Sequence, residues 1–117
     1  PPCEGSGRCH CDADFGHQSG ERNYWLPLTD FSLTHTALLV ESAPGLGDFA
    51  PLALDYGSVA AFHGALCRHR APPNASGTYC RVSLDFRAAI LAGDDSVDDD
   101  ATPFAGPLAS CCRRFSA

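Results

Sequence analysis

The stretch CRHRAPPNASGTYCRVSLDFR, residues 67–87, is the most informative part of the chain. It places His69 twelve residues ahead of Arg81 and ends in a run where polar and apolar residues alternate. Because successive side chains of a strand point to opposite faces, one face of this run is polar and the other apolar. The polar face carries Arg81, Ser83, Asp85 and Arg87. Such a face either meets solvent or lines a polar cavity.

The rest of the chain has the punctuation of an all-β protein. Gly, Pro and Asp recur at intervals of about ten residues between short runs of strand-forming residues, and stretches with helical periodicity are scarce. We expect strands at 9–14, 23–28, 34–41, 49–54, 58–63 and 78–88. This rhythm is typical of a sandwich or a barrel.

Length and charge limit the architecture and the partners. A chain of 117 residues is long enough for one domain and too short for two. We expect a β core over 1–90 and an acidic, irregular tail over 91–117, because five of the fourteen acidic residues lie at 94–100. The net charge of −6 argues against nonspecific nucleic-acid binding. No run approaches the ~18 apolar residues of a membrane span, so neither nucleic acid nor membrane is an expected partner.

Cysteine usage bears on the compartment. The seven cysteines are an odd number, which leaves at least one unpaired in a monomer. None shows the C-x-x-C spacing common in zinc sites. We therefore favour a reduced, cytoplasmic protein with incidental thiols over a secreted protein held by disulfides.

A candidate metal site combines residues from two distant segments. His10 and Asp12 are two apart, so on a strand both side chains project to the same side. His69 would supply a third ligand from a strand across a small barrel. Two histidines and one carboxylate on one face of Fe(II) are the ligand set of mononuclear non-haem iron oxygenases. Asp14 also shares a face with His10 and is the alternative carboxylate, although the closer spacing favours Asp12.

The polar strand supplies a candidate site for an organic acid. Arg81 offers a planar guanidinium to a carboxylate, and the Ser83 hydroxyl adds a hydrogen bond. Together they suit the distal carboxylate of 2-oxoglutarate, and Asn23 is a further candidate contact to this cosubstrate. Asp85 and Arg87 are candidate substrate contacts, although a cross-strand salt bridge explains them equally well.

Four other polar residues are weaker candidates. His17 is more simply explained as a turn residue, and His35 and His63 as packed or surface residues. Glu41 stands at a predicted strand end before a turn. There it is equally suited to hydrogen-bond the backbone or to meet a substrate.

Three runs of the sequence resemble a known family. They are HCDADFGHQSGERNYWLPLT at 10–29, VESAPGLGDFAPLALDYGSVAAFHGALCRH at 40–69 and TYCRVSLDFR at 78–87. These runs are similar to the StrG-like proteins of streptomycin biosynthesis, relatives of phytanoyl-CoA hydroxylase among the Fe(II)/2-oxoglutarate-dependent oxygenases. The resemblance covers about two thirds of the chain, roughly residues 9–88.

The resemblance implies a fold and a set of roles. The implied fold is a double-stranded β-helix, the jelly-roll or cupin-like barrel. His10, Asp12 and His69 are then the iron ligands, and Arg81, assisted by Ser83, anchors 2-oxoglutarate. The segment ahead of His10 is shorter than in such enzymes, so we expect a shortened copy of the fold.

The leading hypothesis is an Fe(II)/2-oxoglutarate-dependent dioxygenase that oxidises a small molecule with dioxygen. One alternative is a cupin-type metal protein whose metal binding does not depend on Arg81. The other is a non-enzymatic β-sandwich binding module held by disulfides, which mostly free thiols would exclude.

Overall fold

The computed structural model describes residues 8–89, 102–103, 108 and 112–116, and most of their regular structure is β-strand. The helices of this part are a 3₁₀ helix at Asp12–Phe15 and α1 at Phe31–Thr34. The strands are β1 (Glu21–Pro27), β2 (Leu39–Val40), β3 (Ala50–Pro51), β4 (Ser58–Phe62), β5 (His69–Arg70), β6 (Ser83–Ala89), β7 (Thr102–Pro103) and β8 (Cys112–Ser116). The predicted all-β class is therefore confirmed.

The strands form two antiparallel sheets. The larger sheet has the order β6-β1-β4-β8-β7, and the smaller one has the order β3-β2-β5. An isolated antiparallel bridge pairs His10 with His69 of β5, so the chain at His10 lies along the outer edge of the smaller sheet. Within the described ranges the two sheets do not close into a barrel.

The strand pairings describe one long antiparallel ribbon, in which residues before the loop at 41–49 pair with residues after it. From the inside outwards, the pairs are Val40 with Ala50, Tyr24 with Ala61 and His10 with His69. All of these pairs are nested around the loop at 41–49. The inner pair lies in the smaller sheet, the middle pair in the larger sheet, and the outer pair beside the smaller sheet again. The two arms of the ribbon therefore cross together from sheet to sheet.

The ladder between β1 and β6 positions the polar strand. It runs over seven pairs and places Asp85 opposite Trp25 and Arg87 opposite Asn23. Along β1 the buried positions alternate, so Asn23 and Trp25 both point inward. The side chains at alternate positions of the two strands therefore face the same interior.

The apolar core draws on both sheets. Val40 of β2, Leu52 after β3 and Phe62 of β4 are completely buried. Burying an apolar side chain of this size contributes about 1.5–3 kcal/mol. Leu108 and Cys112 join the same cluster, so β8 is packed against the core.

The predicted strand at 9–14 is replaced by the bridge at His10 and the 3₁₀ helix. The Asp14 carboxylate accepts a hydrogen bond from the Cys11 backbone N–H at 3.2 Å. Gly16 then ends the turn with a left-handed φ of 85°. This local capping outweighs the extended tendency of the segment because it satisfies backbone groups within the turn itself.

The predicted strand at 34–41 is mostly lost. The chain forms α1 first, whose N-terminus is capped by Asp30 accepting from the Ser32 N–H at 2.8 Å. Extended pairing begins only at Leu39.

Part of the predicted irregular tail is regular. Residues 102–103 and 112–116 form β7 and β8, and β8 pairs with β4 over five residues. A ladder partner and a buried Cys112 give this segment its order, neither of which composition alone could indicate. The acidic residues at 94–100 lie outside the described residues. Across the described residues, no helix has the length and apolar character needed to cross a membrane.

Candidate metal centre

Three side chains from the two arms of the ribbon meet at one point. His10 and His69 are bridge partners, and Asp12 begins the 3₁₀ helix directly after His10. One ligand atom from each lies within 4.8 Å of the others. The Asp12 Oδ1 atom is 3.5 Å from His10 Nε2 and 3.4 Å from His69 Nε2.

The tautomers of both histidines are fixed by backbone carbonyls. His10 Nδ1 lies 2.6 Å from the Arg8 carbonyl oxygen, and His69 Nδ1 lies 3.2 Å from the Cys67 carbonyl oxygen. A carbonyl oxygen only accepts, so each Nδ1 carries the proton and donates it. In the neutral form of each ring, Nε2 then directs its lone pair towards Asp12. A hydrogen bond from the other ring nitrogen to a backbone carbonyl is typical of metal-ligating histidines.

Asp12 is held by one carboxylate oxygen and leaves the other open. Its Oδ2 accepts from Asn23 Nδ2 at 2.7 Å and from Arg87 Nε at 2.6 Å. Burial raises the pKa of Asp12, but the hydrogen bonds from Arg87 and Asn23 outweigh burial and hold the pKa below its ordinary value. Asp12 is thus ionised, with a negative charge facing the two histidines.

The open oxygen is the strongest indication of a bound cation. Asp12 Oδ1 is buried and has no hydrogen-bond partner in the described part of the chain. A carboxylate oxygen and two imidazole lone pairs repel one another unless a cation lies among them. Two nitrogens and one oxygen suit a transition metal such as Fe(II). These residues therefore fit a metal ion.

His69 is prepared to bind a metal at neutral pH. It is 3% exposed, and its ring packs 4.6 Å from that of His10 and 5.4 Å from that of Phe62. Burial lowers the pKa of His69 below its ordinary value, and the hydrogen bond to the Cys67 backbone and the nearby Asp12 carboxylate only partly oppose this. The neutral imidazole, which is the form that ligates, therefore dominates at pH 7.

A cavity of about 290 Å³ opens beside the metal centre. The described residues that line it are His10, Trp25, Leu38, His69, Arg70, Ala71, Arg81, Ser83, Asp85 and Arg87. The polar face of the β6 strand therefore lines a cavity. The opposite face carries Val82, Leu84 and Phe86, each about half exposed.

Arg81 lines this cavity without a hydrogen bond or an ion pair to any described residue. Its Nη1 atom is buried and has no hydrogen-bond partner among the described residues. Burial lowers the pKa of Arg81, yet a guanidinium remains charged in proteins. A buried N–H group of a charged side chain is costly to leave without an acceptor, and an anion would supply one. Arg81 with Ser83 beside it is therefore a site for an anion.

Asp85 and Arg87 occupy different positions in the same cavity. Partial burial raises the pKa of Asp85, while the nearby charge of Arg87 opposes the rise. Arg87 makes an ion pair with Asp12. It thereby connects the metal centre to the cavity.

The other polar residues singled out from the sequence are not members of the ligand cluster. Asn23 is completely buried behind Asp12 and is not among the residues lining the cavity. Asp14 is exposed and bonded to the Cys11 backbone, so Asp12 is the carboxylate of the cluster. His17 is paired with Glu21 at 2.8 Å.

Glu41 is a backbone anchor. Its buried carboxylate accepts from the N–H groups of Arg68 at 2.8 Å, Gly47 at 3.0 Å and Gly45 at 3.3 Å. Burial raises the pKa of Glu41, but these three hydrogen bonds outweigh it and lower the pKa. Glu41 ties the 41–49 loop to the residue before His69.

Gly64 is a supporting residue that sequence patterns did not indicate. A Cβ at this position would lie 2.5 Å from both Nδ2 and Oδ1 of Asn23. The Gly64 carbonyl also accepts from the Asp12 N–H at 2.8 Å. Its φ is not in the left-handed region, so only the close approach requires a glycine here. A lone Gly in a strand-like run was the available signal.

Comparison of the sequence with known proteins identifies a similar protein. No protein-family model and no solved structure matches the chain. The chain is similar to a streptomycin biosynthesis protein. StrG of Streptomyces griseus is 40% identical over 81 residues, which are 69% of this chain and 36% of StrG. The chain therefore spans about a third of the length of that relative, and the similarity supports a StrG-like relationship.

Proposed function

We propose that the chain is an Fe(II)/2-oxoglutarate-dependent oxygenase that oxidises a small molecule, built on a double-stranded β-helix. The observation that carries the proposal is that His10 and His69 of the ligand cluster line the same cavity as Arg81, whose buried Nη1 has no hydrogen-bond partner among the described residues. The first set suits a metal ion, and Arg81 suits an anion. A 2-oxo diacid needs both.

The nested ribbon supports the scaffold. Two antiparallel arms that cross together between two sheets describe a double-stranded helix of β-structure. In this arrangement each arm brings one ligating histidine to the same point, because His10 and His69 are bridge partners. The long sequence separation of the ligands therefore fits the ribbon.

The residues of the site have distinct proposed roles. Asn23 and Arg87 hold Asp12 so that Oδ1 faces the metal, and the two histidines present Nε2. When bound, Fe(II) and 2-oxoglutarate supply dioxygen activation coupled to oxidative decarboxylation of the cosubstrate. Arg81 and Ser83 hold the distal carboxylate.

Cosubstrate turnover tests this proposal. Iron-loaded protein is given 2-oxoglutarate and dioxygen, and succinate is measured. We expect succinate from the parent and from Asp14→Asn, which alters an exposed carboxylate of the same segment, and none from Asp12→Asn. We also expect Arg81→Gln to weaken 2-oxoglutarate binding.

Two results would count against the proposal. Absence of both 2-oxoglutarate binding and succinate in the iron-loaded parent would overturn it. Metal binding with no dependence of any ligand on Arg81 would favour a cupin-type metal-binding module instead.

A further inference from the structure

Arg87 uses only one of its five N–H groups in the described contacts. Its Nε donates to Asp12 Oδ2 at 2.6 Å. The side chain is 31% exposed and lines the cavity with both histidines. Arg87 as a whole is an exposed residue, and none of the described hydrogen bonds uses its terminal nitrogens. A guanidinium can bond one group through Nε and another through its terminal nitrogens, because its N–H donors form a rigid planar fork.

The position of Arg87 along β6 sets it apart from Arg81. The two are six residues apart, with Arg87 on β6 and Arg81 two residues before its first residue, a distance of up to about 20 Å along an extended backbone at ~3.3 Å per residue. The Arg87 end of the strand faces Asp12, and Arg81 lies towards the opposite end. The cavity thus presents a cation at the metal centre and a second cation away from it.

The charge of the cavity favours an anion with two acidic ends. Apart from the metal ligands, the charged residues lining it are Arg70, Arg81, Arg87 and Asp85. Three cations therefore face one carboxylate, and a bound divalent metal adds to the positive charge. The Asp12 carboxylate does not offset this excess, because it is shared between Arg87 and the proposed metal.

We propose that Arg87 is a second cosubstrate-binding residue, which bonds Asp12 through Nε and binds the 2-oxo acid end of the cosubstrate through its terminal nitrogens. This inference rests on the proposed function and deepens it. Arg81 holds the distal carboxylate, and Arg87 holds the carboxylate next to the keto group. Arg87 thereby couples the orientation of a metal ligand to the arrival of the cosubstrate.

Two probes separate the two arginines. Pyruvate carries the 2-oxo acid end without a distal carboxylate, whereas 2-oxoglutarate carries both. Binding is measured by calorimetry on the full chain saturated with Mn(II). Arg81→Gln is expected to weaken 2-oxoglutarate and leave pyruvate unchanged. Arg87→Gln is expected to weaken both by about tenfold or more, as loss of a hydrogen bond to a charged group predicts.

Asn23→Ala is the matched control for an indirect effect. Asn23 donates to the same Asp12 oxygen but does not line the cavity. We expect Asn23→Ala to weaken metal binding and to leave pyruvate affinity unchanged once the metal is saturating. If Arg87→Gln does not fold, Arg87→Lys replaces it, and the same loss is expected because one ammonium cannot bridge two partners as a planar fork does.

The possible failures are distinguishable. One result would refute the inference on Arg87 and leave the proposed function standing. In that result, 2-oxoglutarate binds the parent and binds more weakly to Arg81→Gln, while Arg87→Gln changes the affinity for neither 2-oxoglutarate nor pyruvate. The inference is also wrong if Asn23→Ala weakens pyruvate as much as Arg87→Gln does. If neither probe binds the metal-loaded parent, the proposed function fails with it.

Discussion

Replacing Gly64 by alanine tests how the metal ligand Asp12 is supported. The new methyl carbon would lie 2.5 Å from the amide nitrogen and the amide oxygen of Asn23, well inside van der Waals contact. Asn23 is completely buried on a central strand, so its side chain has little room to move. The substitution must therefore displace the amide that donates to Asp12 at 2.7 Å.

The expected magnitude follows from what the displacement removes. A hydrogen bond to a charged group contributes about 1.5–3 kcal/mol, and overpacking a buried site costs about 1–3 kcal/mol. Because the chain relaxes partly, we expect Gly64→Ala to lower the free energy of unfolding by about 2 kcal/mol. Loss of a group that orients a ligand typically weakens metal binding by roughly 10- to 100-fold.

The assay combines urea denaturation of metal-free protein with Co(II) titration. Gly20→Ala is the matched control, because a Cβ there meets nothing within 4 Å and its φ is not left-handed. The double variant with Asn23→Ala completes a mutant cycle. Once the Asn23 amide has been removed, Gly64→Ala should cost little further stability or affinity.

The reasoning fails if Gly64→Ala behaves like Gly20→Ala in both assays. It also fails if the effects of Gly64→Ala and Asn23→Ala are additive, since that would mean that the methyl group acts on something other than the Asn23 amide.

Three further changes test other parts of the site. Glu41→Gln should lower the free energy of unfolding by about 2 kcal/mol in urea denaturation, because an amide replaces a carboxylate that accepts three backbone N–H groups; unchanged stability would show that this anchor is unimportant. Burial lowers the pKa of His69 in the folded protein, so the unfolded chain takes up a proton at a higher pH than the folded protein does. The contribution of His69 to the stability of the metal-free protein is therefore present above pH 6.5 and is lost as the pH falls below that value. Urea midpoints measured between pH 7 and 5 should fall accordingly, and His69→Gln should reduce this pH dependence. Asp85→Asn should raise the 2-oxoglutarate affinity of the Mn(II)-loaded protein by about threefold, because it removes a negative charge from the lining of the anion-binding cavity; a lower affinity in calorimetry would contradict this.

The sequence predicted the residues of the site more accurately than the strands of the fold. Residue chemistry, spacing and the family resemblance selected His10, Asp12 and His69, and the structure brings these three together. The alternation after residue 80 also predicted a polar strand face, which lines the cavity with Arg81 and Ser83. These features are accessible because they depend on residue chemistry and on the period of a strand.

The features of the site that could not be predicted from the sequence depend on strand register and on close packing. The contact between Asp12 and Arg87 joins residues 75 positions apart and requires the β1–β6 ladder, which no local pattern specifies. The approach of Gly64 to Asn23 is likewise a tertiary feature. Strand lengths were overestimated where local capping by Asp14 satisfied the backbone.

Binding of one metal ion by the His10, Asp12 and His69 cluster is the central claim, and a Co(II) titration followed by absorption tests it most directly. We expect one ion per chain in the parent and in Asp14→Asn, and loss of that site in Asp12→Asn and in His69→Gln. Co(II) binding of equal stoichiometry and affinity in all four proteins would contradict the account.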